Sequence, residues 1–150
     1  MNMPRLAMAA VAATLVDLVY GFAVYGTAMA ASFAAFPGVF RSTETQTAYL
    51  PIMFGGILVG MFAATYIYAK GYEGGNGVRE GLRFGLLMAI FNAGYFVATS
   101  YGILNIGRRL TLAMALAGLG EWLLVGATIG LIYRSAVGGA GARSAKAAKV

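Results

Sequence analysis

Asp17, Asn92 and Glu121 each stand inside a run of otherwise apolar residues. Two carboxyls and an amide can hold a proton, bind a small cation, or tie helices together by hydrogen bonds. The rest of the composition narrows the choice. The chain has no His and no Cys, which removes imidazole bases, thiolate nucleophiles, His-ligated haem and the usual zinc and copper sets. Ser32, Ser42 and Ser100 have no His or intramembrane Lys to activate them. The 8 Met residues are scattered and form no copper-site cluster. The expectation is a non-enzymatic protein with no catalytic residue, no metal and no cofactor.

An apolar setting makes the acids consequential. An ionised Asp at the centre of a membrane helix costs about 2.5–3.5 kcal/mol even on insertion scales. Two carboxylates close together do not both stay ionised. No Lys or Arg lies between Arg5 and Arg41, Arg83 and Arg108, or Arg109 and Arg134, so no counter-ion shares the span cores. The acids are then protonated, hydrated or occupied by a cation. The alternative is interhelical glue, with Asn92, Tyr20 or Tyr25 as hydrogen-bond partners.

The elements that must position these residues are membrane spans. The 150 residues are 60% hydrophobic and 11% charged, with a mean hydropathy of +0.76; soluble domains carry roughly 25% charge. Four runs have the about 20-residue length that crosses a bilayer: residues 6–31, 51–69, 82–104 and 110–133. Pro37-Gly38 stops the first, TAMA before Ala31 resembles a signal-peptide cleavage site, and the run's length and Asp17 favour an uncleaved anchor. Pro51 fits a first helical turn, although an earlier start at Thr43, with Gln46 completing a capping box, would instead make Pro51 a kink. Asn76 can cap an earlier start of the third span. Residues 135–150 read as a flexible basic tail.

GYEGG (Gly71–Gly75) and NIGRR (Asn105–Arg109) are short connections, so the fold expected is all-α: an integral membrane four-helix up-down bundle. Arg5, Lys70, Arg79, Arg83, Arg134, Arg143, Lys146 and Lys149 fall on one side, and Arg41, Arg108 and Arg109 on the other. Eight of the 11 basic residues thus share the side of the termini, which puts both termini in the cytoplasm of a bacterial inner membrane. Asp17, Asn92 and Glu121 each lie about eleven residues from their span ends, roughly 15 Å from either face at helical rise.

Helical phase gives three inward stripes: Thr14, Asp17, Gly21, Val24 and Ala28; Gly85, Met88, Asn92, Tyr95, Thr99 and Gly102; and Gly118, Glu121, Val125 and Thr128. Small-x-x-x-small pairs at Gly56/Gly60, Gly81/Gly85 and Gly126/Gly130 suit close helix packing. Gly126 and Gly130 lie well over 90° from Glu121; these pairs suit close packing inside the bundle, and, if Glu121 faces inward, the Gly126/Gly130 face points sideways or out, where it could dock a helix of another subunit. The net charge of +6 suits anionic lipid headgroups, with Lys70, Arg79, Arg83, Arg134, Arg143, Lys146 and Lys149 meeting lipid or a partner. Nucleic acid is not expected. The loop from Lys70 to Gly85 has a G-x-G but no dinucleotide or P-loop spacing, so it reads as a tight turn. Tyr66, Tyr68, Tyr72 and Phe84 suit one interfacial belt, and Phe40 and Tyr49 the other. Trp122 lies deep, away from both.

AATYIYAKGYEGGNGVREGLRFGLL (63–87) and GLGEWLLVGATIGLIYR (118–134) resemble a group of uncharacterised bacterial four-helix integral membrane proteins, over spans two to four. That resemblance implies the topology and no activity. The chain is also similar to small multidrug-resistance transporters in having four helices and an acid in the first. Asp17 is the position that would carry that acid's role. The chain departs from that family in its length, its flanking residues, its second acid at Glu121 and its strong charge bias. The first expectation for function is an accessory or assembly subunit, packing against other membrane subunits or a second copy of itself. The second is a proton-coupled or cation transporter using Asp17 and Glu121.

Overall fold

The computed structural model describes residues 1–134, and among these every regular element is helical. Four helices are long and apolar enough to cross a membrane, as a multi-pass membrane protein requires: α1 (Met3–Ala28), α3 (Thr43–Gly71), α4 (Gly77–Ile103) and α5 (Arg108–Arg134). A short α2 (Ala30–Ala34) follows α1. Arg143, Lys146, Lys149 and the tail from Ser135 lie outside the described residues.

Local chemistry sets the ends. Asn2 caps α1 by accepting from the Arg5 N–H at 3.2 Å, and Pro4 occupies the first turn, where no N–H is needed. α3 takes the earlier start, and its cap is Ser42, whose Oγ accepts from the Thr45 N–H. Pro51 lies inside α3 and cannot donate to the Thr47 carbonyl four residues back. The turn just before it, Thr47–Tyr49, is correspondingly tightened to a 3₁₀ geometry. Asn76 caps α4 by accepting from the Val78 and Arg79 N–H groups at 3.1 and 3.3 Å.

The α3–α4 turn is closed by Glu80. Its two carboxylate oxygens accept from the Gly75 N–H at 2.6 Å and the Glu73 N–H at 3.0 Å, and Gly74 takes φ +86°, where a side chain would strain. Glu80→Ala is expected to lower stability by about 1–2 kcal/mol, as loss of two charge-assisted hydrogen bonds at a partly exposed site implies. Thermal unfolding in detergent reads it, and Glu73→Ala, which keeps the backbone donor, is the silent control.

The helices pack unequally. α5 is the hub, with α4 docked along one side and α1 along the other, and α1 also carries α3. The α4–α5 seam is backbone against backbone. A Cβ added to Gly81 or Gly85 would overlap the carbonyl oxygens of Gly126 or Trp122, and one on Gly130 would overlap that of Gly77. One core cluster joins Leu6, Ala13, Met61, Tyr68, Val125, Ile129 and Tyr133, with Ile57, Phe84 and Trp122 packed on it. Tyr68 belongs to this core rather than to an interfacial belt: it is buried, donates to the Gly77 carbonyl at 3.2 Å, and meets Phe84 and Tyr133 edge-on. A second cluster, Met29, Ile106, Leu110 and Ala117, with Phe33, Phe36 and Phe40 against it, closes the other end of the α1–α5 seam.

α3 is packed over only half its length. Met61, Ala64, Thr65 and Tyr68 are buried, whereas residues 51–56 are all exposed.

Candidate functional site

Asp17 and Glu121 meet between α1 and α5, each through the part of its helix that faces the seam. Asp17 is buried, and its carboxyl lies near enough to that of Glu121 for the two to interact directly. The Tyr25 hydroxyl donates to Glu121 Oε2 at 3.0 Å. Tyr20 stands edge-on to Tyr25, with ring centroids 6.3 Å apart, and its hydroxyl donates to the Ala117 carbonyl at 2.8 Å. Ionised carboxylates only accept hydrogen bonds, so a bond between two carboxyls needs a proton on one of them. Two carboxyls held side by side in an apolar seam do not both stay ionised, so the arrangement can hold a proton, with a phenol fixing one oxygen of Glu121.

α4 brings Asn92 to the same place. A Cβ on Gly118 would fall 2.6 Å from Asn92 Nδ2 and 4.0 Å from the Tyr25 hydroxyl oxygen. Gly118 thus leaves room for the amide beside Tyr25. Gly120 does the same for Tyr20, whose hydroxyl oxygen would lie 2.6 Å from an added Cβ. The three residues singled out by depth, Asp17, Asn92 and Glu121, are brought to one region. Gly120 was not singled out, although the spacing Gly118-Leu-Gly120-Glu121 places small residues right beside the acid.

Both partner helices change their winding here. α1 passes into a π-helical turn over Val24–Ala28, and α4 does so over Asn92–Ala98. Wider i→i+5 turns are rare and concentrate at functional sites. Each shifts the inward face by a residue. Met29, five after Val24, is buried where Ala28 is exposed, and Val97, five after Asn92, is buried where Tyr95 is exposed. The expected stripes therefore hold up to Val24 and Asn92 and rotate outward beyond them. Thr27 donates to the Phe22 carbonyl five residues back at 3.0 Å, giving that oxygen a partner within the altered turn.

The remaining expected residues fall elsewhere. Gly126 and Gly130 point away from Glu121, and the surface they form is occupied by α4 of the same chain. Gly56 and Gly60 are exposed, with no atom within 4 Å of an added Cβ. Lys70, Arg79 and Arg83 are exposed, with Lys70 5.5 Å from the Tyr66 ring centroid, and Arg134 ends α5. Trp122 packs on the core cluster below the acid pair. An open cleft of about 850 Å³ lies at the end of the molecule that holds Met1, Lys70 and Tyr133, and none of its lining residues belongs to the carboxyl pair. Among the described residues, no group of three acids could hold a metal ion. The chain matches no family model, no curated protein and no solved structure.

Proposed function

We propose that this chain is a non-enzymatic multi-pass protein of a bacterial inner membrane that carries a proton or a small monovalent cation through the Asp17–Glu121 pair. One observation supports it above the rest: two carboxyls from different helices lie side by side, one of them held by the Tyr25 hydroxyl, and no Lys or Arg occurs in the span cores to neutralise them. Acids placed this way inside a membrane mark ion pathways and proton relays. The helices run as an up-down bundle with both termini in the cytoplasm, as the bias of Lys and Arg requires. Glu121→Gln is expected to abolish proton or sodium flux in proteoliposomes and leave the unfolding midpoint near wild type. Flux unchanged in both Glu121→Gln and Asp17→Asn overturns this function.

A second reading is an accessory or assembly subunit, and the bare first half of α3 supports it. The α4–α5 seam fills its glycine surface with backbone, as at Gly81 and Gly126, whereas Gly55, Gly56 and Gly60 in α3 have nothing against them, as is also the case for Gly94 and Gly102. Extraction from the native membrane in mild detergent separates the two. A stoichiometric larger complex supports the subunit reading, and a chain running alone or as a homo-oligomer counts against it.

A further inference from the structure

We infer that the Asp17–Glu121 pair is entered from the membrane face that carries Arg41 and Arg108, through the opening beside the first half of α3, and is sealed from the face that carries Met1 and Lys70. This rests on the proton or cation reading above and adds the side from which the site loads.

The asymmetry comes from how α3 packs. On the Met1 side, Met61, Tyr68, Phe84, Trp122, Val125 and Tyr133 fill the space among all four spans, with Val125 fully buried. Tyr68 ties that end shut by its bond to the Gly77 carbonyl and its edge-on contacts to Phe84 and Tyr133. A close-packed aromatic and aliphatic floor of this kind excludes water. Ile57 is the outermost α3 residue that packs on it. From there towards Thr43, α3 leaves the other helices, and residues 51–56 are exposed. α4 loosens at the same level, beyond Asn92, where only Val97 is buried up to Ile103.

Both helices therefore part on the same side of the carboxyl pair, and they part towards the same face; the Met29–Ile106 cluster closes the α1–α5 seam itself there, so the path runs between α3 and α4 and not along that seam. Glu121, Asn92, Tyr20 and Tyr25 are each only half-buried, so the site is not walled in. The rim of the opening is polar: Thr43, Gln46 and Thr47 at the start of α3 are exposed, as is Thr99 on α4, with Ser100 beside it half-buried. Water can reach an acid along such a rim, whereas it cannot cross the floor.

The absence of Cys makes the test direct, because an introduced thiol has no background. Arg41→Cys and Lys70→Cys define the two faces in sealed proteoliposomes. Ile57→Cys and Asn92→Cys then report the opening, and Val125→Cys reports the floor. A charged, membrane-impermeant methanethiosulfonate is added to one face at a time. The expected result is labelling of the Ile57 and Asn92 variants only from the face that labels Arg41→Cys, and no labelling of the Val125 variant from either. Labelling of those two from the Lys70 face overturns the inference, and so does labelling from neither face, which would mean that lipid fills the opening. A parallel arm treats the wild-type chain with dicyclohexylcarbodiimide, which modifies protonated carboxyls. An adduct on Glu121 that is missing in Glu121→Gln supports the proton site. Its absence, with sided labelling intact, overturns the proton reading and leaves the path standing.

Discussion

Gly126→Ile is expected to lower the unfolding midpoint of the detergent-solubilised chain more than any other single substitution on α5. The reason is contact between backbones. A Cβ at Gly126 already overlaps the Gly81 carbonyl oxygen and comes within 2.8 Å of Gly85 Cα, and neither neighbour is a side chain that can rotate away. Overpacking a core by extra methylenes costs about 1–3 kcal/mol where side chains can adjust. Here relief requires the two helices to separate along a seam that also holds Gly77 against Gly130, so the loss lies at or beyond the top of that range. Gly56→Ile is the matched control. It sits in a helix of the same chain with open space around it, and a β-branched residue there is expected to change stability by no more than about 0.5 kcal/mol. Equal effects at the two positions would remove the α4–α5 seam from the account. Loss of the seam also has a reach beyond stability, because docking of α4 is what sets Asn92 beside Gly118 and Tyr25.

The same seam shows what was legible in the sequence. Four spans follow from their length and apolar content, and the breaks between them from Pro37-Gly38, Asn76 and the Gly-rich turn. That Asp17, Asn92 and Glu121 share a level follows from counting residues. What a count cannot give is which faces meet, because a glycine stripe on one helix fits any other backbone that comes close. Close packing of Gly126 and Gly130 inside the bundle is one expectation and a sideways or outward face is the other, and phase relative to Glu121 does not choose between them. In the fold α5 has neighbours on two sides, and α4 takes the second. The π-helical turns were hidden for a different reason. Phase arguments assume 3.6 residues per turn, and one wide turn moves every later residue to a new face, as Tyr95 and Val97 show. The early end of packing on α3 was hidden too, since Leu50, Ile52, Met53 and Phe54 are as apolar as the α3 residues that do pack.

Truncating Glu121 alone and replacing it together with Asp17 and Tyr25 are expected to have different consequences for stability. Glu121→Ala leaves the Tyr25 hydroxyl without its acceptor and Asp17 without its partner, and it opens space beside the α1–α5 seam. An unsatisfied buried polar group costs about 1–3 kcal/mol, so a loss of about 2–4 kcal/mol is expected once the vacated volume is added. Replacing the two acids together with Tyr25, as Asp17→Leu/Tyr25→Phe/Glu121→Leu, removes both groups that Glu121→Ala strands. Buried polar sets exchanged for apolar side chains of similar size are often neutral or stabilising, so the triple variant is expected to recover to near the wild-type midpoint while carrying no proton or cation. Glu121→Gln also stays near the wild-type midpoint: the amide oxygen still accepts from Tyr25, so the fold holds, but the group can no longer release a proton. That pattern would mean the carboxyls are kept for what they carry and not for what they hold together. A triple variant as unstable as Glu121→Ala would mean the reverse: Asp17, Tyr25 and Glu121 would then be the bonds that fasten α1 to α5, and the accessory-subunit reading would take precedence.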